Sequence, residues 1–95
     1  MGVPDWVNAD NITPSMNDEG DTWTASTNCY VAVHVECVNT GALRWKINNI
    51  FTFGGYFTPN EEHSYVIPVA KGDVITTTTA SGSMPVQCYM VPFKQ

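Results

Sequence analysis

The chain has 95 residues, enough for one domain that buries roughly 60–65% of its unfolded surface. Four lysines and arginines stand against nine aspartates and glutamates, a formal net charge of −5, so the basic footprint that nucleic acid or an anionic membrane surface requires is missing. Charged residues make up only 14%, well below the roughly 25% of an ordinary domain, a balance that suits virion or extracellular surfaces and subunit interfaces.

The N-terminal residues 1–20 read as irregular. Pro4, Pro14 and the run Asn17, Asp18, Glu19, Gly20, Asp21 make loops, with a short strand expected around residues 11–13. Residues 22–25 form a strand, and Ser26, Thr27 and Asn28 turn. Residues 29–38 carry the clearest alternation in the chain. Cys29, Val31, Val33, Val35 and Cys37 fall on one face, and Tyr30, Ala32, His34 and Glu36 on the other. The first set is uniformly apolar and should face the core. Residues 42–47 repeat the pattern, with Leu43, Trp45 and Ile47 inward and Ala42, Arg44 and Lys46 outward.

Asn48 and Asn49 suit a two-residue type I′ turn, because asparagine tolerates positive φ. Residues 50–53 return antiparallel until Gly54 and Gly55 break the strand, and residues 56–63 form a loop. Residues 64–69 are a strand whose Pro68 marks an edge or a bulge. After a turn at residues 70–73, residues 74–80 continue with a threonine run. Ser81, Gly82 and Ser83 turn, and residues 84–93 close the sheet, with Pro85 and Pro92 near its ends. No long helical pattern and no internal repeat interrupts this series. The fold expected is all-β: a single antiparallel β-sandwich of seven or eight strands spanning residues 1–95, jelly-roll-like first and immunoglobulin-like second.

No apolar run approaches the roughly 20 residues of a membrane-spanning helix, so no membrane insertion is expected. No signal peptide precedes the domain, which points to synthesis in a host cytoplasm. The three cysteines are an odd number. Cys29 and Cys37, on one strand, lie roughly 27 Å apart if it is straight, too far for a disulfide; Cys88 could reach either. The simplest reading is three buried thiols acting as small apolar residues.

Three stretches together resemble the small β-sandwich knobs that end phage and prophage tail fibres. The first is Pro4-Asp5-Trp6. The second is Trp23-Thr24-Ala25 followed by Tyr30-Val31-Ala32-Val33, where relatives are expected to carry a glycine at the place Cys29 occupies. The third is Ile47-Asn48-Asn49 followed by Ile67-Pro68-Val69-Ala70-Lys71-Gly72-Asp73-Val74. Such knobs look like the tumour-necrosis-factor-type jelly roll. The resemblance implies a homotrimer and a receptor-binding tip on a virion surface. The chain opens at Met1 with no fibre shaft before it. That keeps a second reading open: a freestanding phage protein that binds or sequesters a small molecule between subunits.

The candidate contact surface is the loop holding Tyr56, Phe57, Asn60, Glu62 and His63. Flat rings beside hydrogen-bonding side chains suit a host receptor, a glycan or a small ligand. Trp6 and Trp45 are assigned to core or interface. His34 and Glu36 share the polar face of the central strand, where a proton-transfer or metal role competes with a plain polar interface pair. Arg44 and Lys46 share another outward face; they could bind an anion between subunits, though cross-strand pairing with Glu36 is the simpler expectation. The acidic run at residues 17–21 does not match a calcium-loop spacing. No Gly-x-Ser-x-Gly elbow, phosphate loop or HExxH appears, and the cysteines lack activating neighbours. An enzyme, a metal and a cofactor are therefore not expected.

Overall fold

The computed structural model describes residues 2–79 and 86–95. The alternating segments become eight strands: β1 (Asp10–Asn11), β2 (Thr22–Thr24), β3 (Cys29–Glu36), β4 (Gly41–Ile47), β5 (Ile50–Phe57), β6 (Glu62–Val69), β7 (Val74–Thr79) and β8 (Val86–Pro92). Two short 3₁₀ turns, Trp6–Asn8 and Thr13–Ser15, punctuate the N-terminal segment, the second with Pro14 in its first turn. The expected turn at Ser81, Gly82 and Ser83, together with Met84 and Pro85, lies outside the described residues.

The strands form two four-stranded sheets, ordered β1-β8-β3-β6 and β2-β7-β4-β5. Every pairing is antiparallel, and β1 pairs with β8, β2 with β7, β3 with β6, and β4 with β5. The chain thus behaves as one long hairpin rolled up until β3 meets β8 and β4 meets β7. That is the double Greek-key order of a jelly roll, and the protein is an all-β sandwich of this type.

Burial follows the alternation. Cys29, Val31, Val33 and Val35 of β3 face inward, against Leu43 and Trp45 of β4, Ile75 of β7 and Cys88 of β8. Trp45 is fully buried and stacks on Phe53, their ring centroids 4.9 Å apart. All three cysteines are free and buried. Cys88 pairs in register with Val33, four residues from both Cys29 and Cys37 and so roughly 13 Å from each along the strand. Neither disulfide can form. Burial pushes the Cys88 thiol up to about 12 and raises that of Cys29.

Local chemistry sets the turns. Asn48 and Asn49 have φ of 52° and 66°, the type I′ geometry that lets β4 run straight into β5. The Asn48 side chain reaches across to the next turn, donating to Asp73 Oδ1 at 3.0 Å and accepting from the Val74 N–H at 2.9 Å. The Ala70 N–H, then Asn48, hold the Asp73 carboxyl below its ordinary range. Pro68 lies on β6, an edge strand of its sheet, where a missing N–H costs no ladder bond.

The glycine pair behaves differently from expectation. Gly54 and Gly55 do not end β5, which runs on to Phe57. Gly54 sits at φ 98° opposite Arg44, with the Leu43 carbonyl where a Cβ would stand. Here the glycine permits close strand approach, not a break. The segment read as the loop of residues 56–63 is correspondingly short, since β5 takes Tyr56 and Phe57 and β6 begins at Glu62.

Candidate functional site

Paired residues in adjacent strands share a face, so the register fixes the outer face of the β1-β8-β3-β6 sheet. One row runs Tyr89, Ala32, Val66 across β8, β3 and β6, and the next runs Gln87, His34, Ser64. Beyond them Glu36 stands opposite Glu62. The N-terminal segment crosses the far end of this face. Tyr30 Oη donates to the Gly2 carbonyl at 2.7 Å, and the Asp5 N–H donates to the Pro92 carbonyl at 2.8 Å. That path brings Trp6 over the sheet, where it lines a shallow cavity of about 220 Å³ with Ala32, His34, Val66, Gln87 and Tyr89. Trp6 remains 54% exposed and Val66 48%. Of the two places expected for Trp6, core or interface, its exposure rules out the core.

A second group adjoins this patch. His34 Nε2 lies 3.7 Å from Glu36 Oε1 and 3.9 Å from Glu62 Oε1. His34 Nδ1 is 2.8 Å from Ser64 Oγ. The face thus grades from an aromatic and aliphatic patch, through a row of neutral hydrogen-bonding groups, to a pair of carboxylates.

The residues expected to form one contact loop are dispersed. Tyr56 is exposed on the outer face of the second sheet, in register with Ala42. Phe57 is buried in the core and offers no contact surface. His63 is half-buried and points between the sheets, its ring 4.6 Å from that of Phe57. Asn60 and Glu62 do come together, lining a shallow cavity of about 340 Å³ with Glu36. The turn itself is internally satisfied. The Glu61 carboxylate accepts from the Thr58 hydroxyl and N–H, and its Oε2 lies 2.9 Å from His63 Nε2. The bonds from the Thr58 side chain, His63 and the Thr58 backbone lower its pKa to about 2.

No family model matches the sequence, and no curated protein matches it. Among solved structures, the chain is similar to the carbohydrate-binding module CBM36 in complex with calcium and xylotriose. The TM-score is 0.38 and the identity 15%, over 95% of this chain and 89% of that one. A likeness that distant assigns no ligand to this protein.

The four polar residues grouped as interface candidates also divide. His34 and Glu36 belong to the first sheet. Arg44 and Lys46 lie on the second, where Arg44 pairs with Gly54 and Thr78, and Lys46 sits over the Phe51 ring at 4.6 Å. The expected pairing of Arg44 with Glu36 is not made, because β3 and β4 fall in different sheets. The acidic run at residues 17–21 is bound to β7 instead: the Thr77 hydroxyl donates to the Asp18 carbonyl and the Thr77 N–H to the Asp21 carbonyl.

Trp6, Ser64, Val66, Gln87 and Tyr89 were not singled out as contact residues. Their signal was present in part, since Ser64 and Val66 alternate with inward-facing Tyr65 and Ile67. Alternation names a face of one strand. It does not say which other strands share that face.

Proposed function

We propose that this chain is a non-catalytic recognition module that binds a glycan on the outer face of the β1-β8-β3-β6 sheet. The observation that carries this reading is the half-exposed Trp6 beside Tyr89, Ala32 and Val66, bordered by His34, Ser64 and Gln87. A sugar ring has apolar C–H faces and an equatorial rim of hydroxyls. An aromatic ring covers the former while amide, imidazole and hydroxyl groups read the latter. The shallow opening fits a chain end or a branch lying along the sheet. Few positive charges adjoin the face, which favours neutral sugars over sulfated or phosphorylated ones.

The test is a glycan array probed with fluorescently labelled protein. Binding to a related set of oligosaccharides, lost on free-sugar competition, supports the reading. An array silent at high micromolar protein overturns it.

A setting at the tip of a phage tail fibre, as a homotrimeric receptor-binding knob, is favoured by the jelly-roll strand order and by exposed Ile50, Phe51 and Tyr56 along the edge strand β5. A threefold contact would cover such side chains. Light scattering after size exclusion tests it: a stable trimer supports the knob, and a monomer at tens of micromolar argues against it.

A further inference from the structure

We infer that His34, Glu36 and Glu62 form a binding site for a divalent transition-metal cation of the zinc class. The inference goes beyond the glycan reading and does not depend on it. One ligand atom from each residue lies within 4.8 Å of the others. Tetrahedral zinc with bonds of about 2.0–2.1 Å holds its ligand atoms roughly 3.3–3.4 Å apart. The two histidine–carboxylate separations, 3.7 and 3.9 Å, are a few tenths of an ångström longer, and small rotations of two exposed glutamates close that gap.

Three features point beyond a chance cluster. Glu36 and Glu62 stand directly opposite on neighbouring strands, where like charges repel. Among the described residues no lysine or arginine pairs with either one; the basic side chain beside them is the His34 imidazole. The register keeps the two glutamates neighbours, and a bound cation would relieve the repulsion between their carboxylates.

The imidazole is also oriented for ligation. With its proton on Nδ1, the ring donates to Ser64 Oγ and turns the Nε2 lone pair toward the two carboxylates. Metal-bound histidines commonly use their second nitrogen in this way, which fixes both tautomer and ring plane. The donor set decides the class of ion. Imidazole nitrogen with two carboxylates suits zinc and its neighbours, whereas calcium and magnesium prefer oxygen alone. Three protein ligands on an open face leave a fourth position free for water or for a hydroxyl of a molecule on the adjoining patch.

Isothermal titration with zinc chloride, repeated with calcium chloride, tests the site. The expected result is one zinc per chain, a His34→Ala variant binding at least tenfold more weakly, and a His63→Ala variant binding as the parent does. Zinc should raise the melting temperature of the parent and leave that of His34→Ala unmoved, which guards against a variant that binds poorly because it is unfolded. In ¹⁵N-resolved spectra, zinc should shift the His34 ring nitrogens and not those of His63. No zinc binding up to about a millimolar, binding that survives His34→Ala, or calcium binding as tightly as zinc would each overturn the proposal.

Discussion

Replacing Trp6 with alanine separates recognition from folding on the first sheet. Trp6 keeps 54% of its surface exposed. A tryptophan side chain offers roughly 250 Å², so about 130 Å² remains to meet a ligand. A sugar ring lying on one face covers about half of that, and at about 25 cal/mol per Å² the contact contributes about 1.6 kcal/mol. Its loss should weaken glycan binding about 15-fold. The portion already packed, roughly 115 Å², stabilises the fold by about 2 kcal/mol after allowance for a compact unfolded chain. Against the roughly 5–14 kcal/mol typical of a chain this long, the variant should remain folded. Affinity for the best array sugar, measured by titration calorimetry well below the melting temperature, provides the assay. Tyr56→Ala on the opposite sheet should leave it unchanged. A Trp6→Ala variant within twofold of the parent would refute the placement of the site. If Tyr56→Ala lost binding instead, the contact surface would move to the outer face of the second sheet around Tyr56.

Two further predictions concern stability. Gly54→Ala forces a side chain into φ 98° and against the Leu43 carbonyl, so urea melts should show a loss of about 3 kcal/mol or more. Gly20→Ala, at φ 85° but with open space around it, should cost only about 1 kcal/mol. Equal losses at the two sites would mean that strand approach at Gly54 is unimportant. The Glu61 pKa falls from 4.5 to about 2 in the folded protein, so the unfolded state takes up protons first as pH falls. The stabilisation from this carboxylate is therefore complete above 4.5 and disappears as pH drops toward 2. Thermal melts of the parent and of Glu61→Gln should differ above that range and converge at its acid end. A constant difference would show that the Thr58 and His63 bonds to Glu61 do not stabilise the turn.

Much of the architecture was legible because strand alternation is local. Cys29, Val31, Val33 and Val35 declare an inward face without reference to any other segment, and burial agrees. The Asn48–Asn49 turn was equally readable, because positive φ at two consecutive residues is a demand that asparagine meets cheaply. Gly54 and Gly55 misled for the converse reason. The same freedom that ends a strand also lets two strands approach closely, and only the position of the Leu43 carbonyl distinguishes these uses. Phe57 and His63 misled because aromatic residues beside Asn and Glu look the same in sequence whether their rings turn toward solvent or between the sheets.

The candidate site depends on a different kind of information. His34 and Glu36 could be placed on one polar face from β3 alone. That Glu62 faces them, that Ser64 holds the imidazole, and that Arg44 lies in the other sheet all follow from the pairing of β3 with β6 and of β4 with β5. Trp6 joins the face only because the N-terminal segment hydrogen-bonds along β8 and brings it there. Side-chain periodicity has a range of a few residues, so the sequence alone determined the strands and their inward faces. Strand neighbours are chosen by the burial of both sheets at once. That choice brings together groups far apart in the chain, and it belongs to the tertiary structure.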